Sequence, residues 1–311
     1  MTRTDWRLVR PLNLGIIAGT ALLVAYGMFG GEADGGTELV ARWQVWLFAL
    51  SFVSIGAAGY IWNDLHDVET DRINRPERAM VQGRITPKAA TRLGLMWAIF
   101  GLVAAILAGF EFFGIPFIFV YLFYAGLLYA YAVRLKCTVL LGNLIVSLLC
   151  ALVVPAGFSA GAQILGNGAD SAAYDHWFPV MVGYTVFAFF TTLLREMVKD
   201  LEDLPGDRAT NCGTLPVRTS ETTARIASAV LASLLTVSLA ALSSVLLIGV
   251  LFTGNIPGLL CAAGGIVLSL VLTIRLWRAR LRADYHSVSK LVKLLMLVGL
   301  LFLFFLMVFD K

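Results

Sequence analysis

The feature that most constrains this chain is a series of long apolar runs. Nine stretches of about 18 or more residues, nearly free of charge, can be drawn at 11–29, 43–62, 93–110, 112–133, 138–160, 177–194, 226–251, 256–277 and 288–309. At 1.5 Å per residue such a run matches a bilayer core roughly 30 Å thick. Each backbone group left unpaired in hydrocarbon costs several kcal/mol, so only helices or a closed barrel can cross. A barrel would need alternating segments of about ten residues, and none is present. The expectation is an all-α membrane protein with nine transmembrane helices. Composition agrees: 59% of the 311 residues are hydrophobic and 14% charged, against roughly 45–50% and about 25% in a soluble domain. That excludes a soluble globular enzyme, a disordered chain and a nucleic-acid binder.

The placement of charge sets an orientation. With the N-terminus in the cytoplasm, the cytoplasmic stretches hold 22 of the 24 basic residues, and only Arg42 and Lys311 lie elsewhere. The positive-inside rule favours this N-in, C-out arrangement. Only Glu111 and its neighbours separate the third and fourth spans, which implies a tight turn. The Gly-rich residues 30–36 and the segment 161–175 read as external loops. The first span is too long, and lacks the small-residue site, for a cleavable signal. Cys137, Cys150, Cys212 and Cys261 form no CxxC pair and are expected to be reduced. No soluble domain stands out, so residues 1–311 read as one transmembrane domain.

Thirteen of the 20 acidic residues lie on the same proposed cytoplasmic side. Most sit in two segments, Asn63-Asp64-Leu65-His66-Asp67-Val68-Glu69-Thr70-Asp71-Arg72 and Lys199-Asp200-Leu201-Glu202-Asp203-Leu204-Pro205-Gly206-Asp207-Arg208. Both reduce to Asp-Leu-x-Asp-x-x-x-Asp-Arg, and each leaves the cytoplasmic end of an even-numbered span. The repeat suggests two related four-helix halves followed by a ninth helix.

At ~100° per residue, positions 0, +3 and +7 share one face of a helix. Asp64, Asp67 and Asp71 would then form a carboxylate stripe if the helix continues beyond the membrane. Asp200 and Asp203 do the same, with Glu196 one turn earlier; Pro205 disfavours regular helix around Asp207. Like charges on one face repel, and a hard cation such as Mg²⁺, bound by one or two carboxylates and substrate phosphates, would offset them. Neighbouring Arg72, Arg75, Lys136, Lys199 and Arg208 could meet phosphate oxygens. Most of the basic residues are explained by topology alone. The six aspartates are not, because acids contribute little to topology. Glu69 and Glu202 are expected to be solvated.

With these motifs the chain resembles the UbiA superfamily of intramembrane prenyltransferases. The Asn-Asp-x-x-Asp-x-x-x-Asp signature of that family is matched by Asn63, Asp64, Asp67 and Asp71. Arg72-Ile73-Asn74-Arg75-Pro76-Glu77-Arg78-Ala79 through Gly83-Arg84-Ile85, Arg10-Pro11-Leu12-Asn13 and Leu141-Gly142-Asn143 look similar too. Residues 195–203, with Gly206-Asp207 and Gly213-Thr214-Leu215-Pro216, look most like the digeranylgeranylglyceryl phosphate synthase branch. The resemblance implies a nine-helix bundle with a central cavity open to lipid. It also implies Mg²⁺-dependent transfer of a prenyl group, geranylgeranyl in that branch, from its diphosphate to a lipidic acceptor. In that branch the acceptor is a prenylglyceryl phosphate; a quinone-type aromatic acceptor is the alternative.

On this reading Asp64, Asp67, Asp71, Asp200, Asp203 and Asp207 are the catalytic and metal-binding set. Asn13, Asn63, Arg72, Arg75, Lys136, Arg195, Lys199 and Arg208 are the candidate substrate-binding residues. Tyr121, Phe123 and Tyr124 are candidates to face an allylic cation, and Glu196 to take a proton from a hydroxyl acceptor. Asn143 and Asn13 stand out as polar residues inside apolar spans, and His176 and His286 read as interfacial residues. The rival of another class is a secondary transporter, which would place its ionisable residues near the bilayer midplane. A CDP-alcohol phosphotransferase is disfavoured because its Asp-Gly-x-x-Ala-Arg signature is absent.

Overall fold

A computed structural model of the chain describes residues 8–28, 43–109, 114–165 and 171–309. The Gly-rich 30–36 loop, the turn at Glu111, and Arg3, Arg7, Arg42 and Lys311 lie outside the described residues. The described residues contain helices and no strand. In chain order these are α1 Pro11–Gly27, α2 Trp43–His66, α3 Val68–Asn74, α4 Pro87–Ala108, α5 Gly114–Val133 and α6 Leu141–Leu165. After them come α7 Ser171–Ala209, α8 Leu215–Arg218, α9 Glu221–Thr253, α10 Ile256–Arg278 and α11 Arg282–Phe309. A 3₁₀ turn, Leu135–Cys137, precedes α6.

Local chemistry sets several of the ends. Pro87 and Pro11 occupy first helical positions, where a missing N–H costs nothing. Thr86 caps α4 by accepting from the Ala89 N–H at 3.2 Å, and Asn255 caps α10 by accepting from the Gly258 N–H at 2.8 Å.

Among the described residues, eight helices are long and apolar enough to cross a membrane: α2, α4, α5, α6, α7, α9, α10 and α11. The helix α1, with 17 described residues, is about 25 Å long, a little short of the hydrocarbon core.

Two expectations about helix ends are corrected. Segment 161–175 is not simply a loop, because α6 continues to Leu165 and α7 begins at Ser171. Once a helix is nucleated each added residue gains a backbone bond, and Ala162-Gln163-Ile164-Leu165 offers no barrier. Nor does Pro205 end α7. Proline loses its own N–H bond and crowds the carbonyl four residues before it, yet beyond it the Thr210 N–H still reaches the Gly206 carbonyl at 3.0 Å.

The chain divides into two compact units, residues 1–136 with 148–185 and residues 137–147 with 186–311. In the first unit α2 packs against α1, α4 and α5. Leu8, Val9, Leu14, Ala57, Ile61, Met80 and Ala90 form a core that fastens the N-terminal segment and the α3–α4 loop to α1, α2 and α4. In the second unit Leu194, Val198 and Leu201 of α7 join Ala229 and Ala232 of α9, Leu272 and Leu276 of α10, and Val288, Val292 and Leu295 of α11.

Many large apolar side chains point outward, among them Phe119, Phe123, Val237, Leu260, Val267 and Leu281, each more than 60% exposed. In water such a surface would aggregate; against lipid it costs nothing. With the eight long apolar helices it identifies an integral, multi-pass membrane protein.

Helices without a hydrophobic driving force between them rely on close packing at small residues. Gly101 of α4 is such a point. A Cβ there would lie 2.3 Å from Tyr121 Oη, 2.9 Å from Ser54 Cβ and 3.1 Å from the Ser51 carbonyl. Gly101→Ala should therefore push α4 off α2 and α5 and destabilise the unit by about 1–3 kcal/mol. A lowered unfolding midpoint in detergent checks this; an unchanged midpoint contradicts the close packing.

Candidate active site

The first acidic box belongs to the first unit. Asn63 and Asp64 occupy the last turn of α2, which ends at His66. Asp67 leaves helical geometry (φ −97°, ψ 3°) and α3 resumes at Val68. The hydrogen-bond rhythm nevertheless continues, from the Asp67 N–H to the Asn63 carbonyl at 3.0 Å and from the Asp71 N–H to the Asp67 carbonyl at 2.7 Å. The anticipated stripe is thus interrupted at one residue.

Cations organise the three carboxylates. A single nitrogen, Arg78 Nη1, donates to Asp64 Oδ1 and to Asp71 Oδ2, each at 2.6 Å. Arg10 Nη2 donates to the same Asp64 oxygen at 2.9 Å, and Arg75 Nη1 to Asp71 Oδ1 at 3.3 Å. Asp67 accepts from Lys136 Nζ at 2.5 Å and from Asn63 Nδ2 at 2.6 Å. Asp64 and Asp71 are buried, with 6% and 2% exposure. A buried carboxylate without partners would be prohibitively costly, so these cations are a condition of the fold.

Burial pushes the Asp71 carboxyl up to about 6; Arg78 and Arg75 pull it down, and Asp67 and Asp64 push it further up. Arg10 itself sits in the left-handed region (φ 51°), a conformation that costs a non-glycine residue about 1 kcal/mol or more. Its bond to Asp64 and its position 4.7 Å over the Tyr60 ring hold it there. Asn13, half-buried on the first turn of α1, donates its N–H to the Arg10 carbonyl at 2.9 Å. Its side chain has no hydrogen bond to a described residue.

The second box belongs to the second unit and is organised differently. Asp200 accepts from Asn143 Nδ2 at 2.8 Å, and no cation pairs with it among the described residues. Asp207, buried, accepts from Thr214 Oγ1 at 3.1 Å. Lys199 Nζ lies 2.8 Å from Glu202 and 3.9 Å from Asp203, and Arg195 forms an ion pair with Glu196.

The structure corrects the expectation that Glu202 is solvated. It is 4% exposed and accepts from Lys199 and, at 3.0 Å, faces His286 Nδ1. Arg282 Nε covers its carbonyl at 3.1 Å. Helix α7 persists through the box, and the start of α11 closes over that face. Glu69, as anticipated, is exposed, and it pairs with a similarly exposed Arg72 at 3.0 Å. Arg208 is exposed and makes no ion pair with a described residue.

Of the aromatic candidates, Tyr121 and Tyr124 are buried while Phe123 is 65% exposed. Tyr121 Oη donates to the Ala98 carbonyl at 2.8 Å, and Tyr124 meets Phe52 edge-on with centroids 5.4 Å apart.

The cysteine expectation is also corrected. Cys137 and Cys212 form a disulfide, with Cα atoms 4.6 Å apart at a sequence separation of 75. Cys150 and Cys261 are thiols outside any disulfide. The closeness arises from tertiary packing: at Gly213 a Cβ would lie only 3.0 Å from the Cys137 carbonyl. No local spacing rule could have revealed this pair.

Several site residues escaped the sequence argument. Arg10 and Arg78 had stood only within recognisable motifs, yet they hold Asp64. Asn143 was visible as a polar residue in an apolar span, the kind of signal that marks function in membranes, and it holds Asp200. Thr214 carried no signal except its place after Gly213.

Among the described residues no three His, Cys, Asp or Glu side chains are placed to hold a metal ion by themselves. The donor chemistry still suits Mg²⁺, which takes oxygen ligands and is usually held by one or two carboxylates plus waters and phosphates rather than by a protein cage.

A multi-pass helical membrane protein with two partly buried acidic boxes, one laced with arginine and lysine, is therefore defined by the fold and by these residues. Residues 14–305 match the UbiA prenyltransferase family, and the chain belongs to that family of enzymes. The digeranylgeranylglyceryl phosphate synthase of Sulfolobus acidocaldarius is 38% identical over 167 residues, 54% of each chain. That of Methanothermobacter thermautotrophicus is 31% identical over 286 residues, 92% of this chain and 89% of its own. The fold is similar to that of a UbiA homologue from Archaeoglobus fulgidus bound to GPP and Mg²⁺, with TM-score 0.56 and 18% identity over 94% of this chain and 96% of that one.

The disulfide is open to a direct check. Alkylation of denatured, unreduced protein should modify Cys150 and Cys261 only, and reduction should expose the other two. Mass spectrometry that finds four alkylated cysteines without reductant contradicts the pairing.

Proposed function

We propose that this protein transfers a prenyl group, geranylgeranyl by preference, from its diphosphate to the hydroxyl of a prenylglyceryl phosphate, with Mg²⁺. The observation that carries this reading is the pair of repeated aspartate boxes, with Asp64, Asp71 and Asp207 buried, in a chain of the UbiA family. The acceptor is supported by the names of the relatives, digeranylgeranylglyceryl phosphate synthases. The metal and the donor are supported by the acidic donor set and by the GPP and Mg²⁺ named with the Archaeoglobus homologue. Nine crossings, with the boxes on the cytoplasmic side, complete the proposal; the distribution of Lys and Arg supports them.

Asp64, Asp67, Asp71, Asp200, Asp203 and Asp207 are assigned to the metal and diphosphate. Bound Mg²⁺ would neutralise charge developing on the diphosphate. The chain's own residues account for the rest. Arg10, Arg75, Arg78 and Lys136 hold the first box together before substrate arrives. Were its carboxylates to hold Mg²⁺, these cations would be available to phosphate oxygens. The bond from the prenyl C1 to oxygen breaks, and its electron pair leaves with the diphosphate. The acceptor oxygen bonds to C1 and its proton passes to a base, for which Glu196, paired with Arg195, is the candidate. Charge that grows on the diphosphate is stabilised more in the transition state than before it. Tyr121 and Tyr124, buried in the first unit, are assigned to the wall of the prenyl chain.

Two measurements test this. Asp64→Ala and Asp200→Ala should each lower transfer of radiolabelled geranylgeranyl groups in liposomes by more than about a hundredfold, and EDTA should stop the reaction until Mg²⁺ is restored. Near-normal turnover in either variant overturns the assignment.

Acid provides the second. A group whose pKa is raised in the folded state binds protons more tightly there. In the metal-free protein Asp71 therefore favours the fold at low pH, and that contribution fades as pH rises through about 6. Protons and Mg²⁺ compete for its oxygens. The Mg²⁺ concentration for half-maximal rate should rise as pH falls below about 6, by up to about tenfold per pH unit. A requirement for Mg²⁺ that stays flat from pH 7 to 5 would exclude Asp71 as a ligand.

A further inference from the structure

Beside the first box the structure contains a cavity of about 460 Å³ whose wall includes Leu8, Arg10, Asp64, Arg78, Gln82 and Arg84. Its size falls in the range of small-molecule sites, and it lies wholly within the first unit. Three guanidinium groups face two acids, Asp64 and Glu77. Asp64 is already matched by Arg10 and Arg78. Arg84 is exposed; its Nη2 donates to the backbone carbonyl of Glu77 at 2.9 Å, and no carboxylate pairs with it among the described residues. The cavity thus carries an excess of positive charge. Its outer part holds an arginine fork and the Gln82 amide, and Leu8 gives it one apolar wall.

We propose that this cavity receives the phosphate monoester of the acceptor's glycerol headgroup, with Arg84 and Gln82 as the residues that select it. The inference rests on the acceptor proposed above and adds the residues that recognise its charge. Covalent reach supports it. In a glycerol phosphate only four bonds separate the phosphorus from the oxygen of the neighbouring hydroxyl. The phosphate site must therefore share a wall with the carboxylates that hold the reacting diphosphate, and Asp64 is such a shared wall. A guanidinium meets two phosphate oxygens at once, which lysine cannot do. The same charge argument explains why an acceptor lacking the phosphate would be a poor substrate: it would leave the arginine charge of the cavity unmatched.

The test uses the full-length protein in detergent. Binding of prenylglyceryl phosphate is measured with EDTA present and no prenyl diphosphate, for wild type, Arg84→Gln, Arg84→Lys and Gln82→Ala. Steady-state KM values for acceptor and donor follow in Mg²⁺. Arg84→Gln should weaken acceptor binding at least tenfold and raise acceptor KM in step, with donor KM unchanged, and Arg84→Lys should fall between. Wild type should prefer the phosphorylated acceptor to prenylglycerol, and Arg84→Gln should lose the preference. Phosphatidic acid, the bulk-lipid source of a phosphate monoester, should not displace the acceptor at equal concentration.

Unaltered acceptor binding in Arg84→Gln overturns the proposal. A rise in donor KM instead assigns the cavity to the diphosphate and also overturns it, and equal displacement by phosphatidic acid makes it a general lipid-headgroup site. Failure of the functional reading looks different: wild type itself would form no product from prenylglyceryl phosphate. The binding arm would still decide the cavity, for or against, by the Arg84→Gln result. Arg84 is exposed, so an unchanged unfolding midpoint should accompany each effect.

Discussion

A buried carboxylate in a lipid-embedded helical protein must be matched by a cation or by strong hydrogen-bond donors. Much of the first unit's arrangement follows from that requirement. Asp64 and Asp71 stand at a helix end and just beyond it, too buried for water to solvate them. Arg78 bridges the two, and to do so residues 75–85 must fold back over the end of α2. Met80 packs in the core beneath that loop with Leu8 and Val9. The N-terminal segment is thereby drawn in, and it delivers Arg10 in a left-handed conformation that only its bonds make tolerable. Electrostatic satisfaction and apolar packing thus specify the same loop geometry.

The two boxes repeat in sequence but not in electrostatics. In the first, four basic residues meet three aspartates. In the second, Lys199 pairs with Glu202 and Arg195 with Glu196, while Asp200 takes a neutral amide from Asn143. A guanidinium offsets a buried carboxylate's charge directly, whereas a neutral amide supplies only a hydrogen bond, so the two boxes meet the cost of burial by different means.

The sequence made legible whatever depends on local pattern. The apolar runs coincide with eight membrane-length helices, because a span must satisfy its own backbone whatever its neighbours do. The Asp spacing picked out two segments whose aspartates the structure wholly or partly buries and supplies with donors. What stayed hidden depends on contacts distant in sequence. Glu202 looked like a solvated loop acid until His286, 84 residues away, closed over it. Cys137 and Cys212 lacked any spacing signal because their sequence separation is 75. The break at Asp67 was invisible as well, since a single residue can leave helical geometry while the hydrogen bonds on either side continue.

The disulfide has a structural consequence for the second box. Cys212 follows Asn211, which has a positive φ, and lies five residues beyond Asp207. Thr214, two residues after it, donates to Asp207. On the other side Cys137 precedes Leu140, also at positive φ, and Asn143, which donates to Asp200. The two neutral donors to the second box are therefore carried on segments covalently joined to each other. A short tether of this kind limits how far either donor can drift from its carboxylate. It does for the second box what arginine does for the first: it holds an acidic cluster in place.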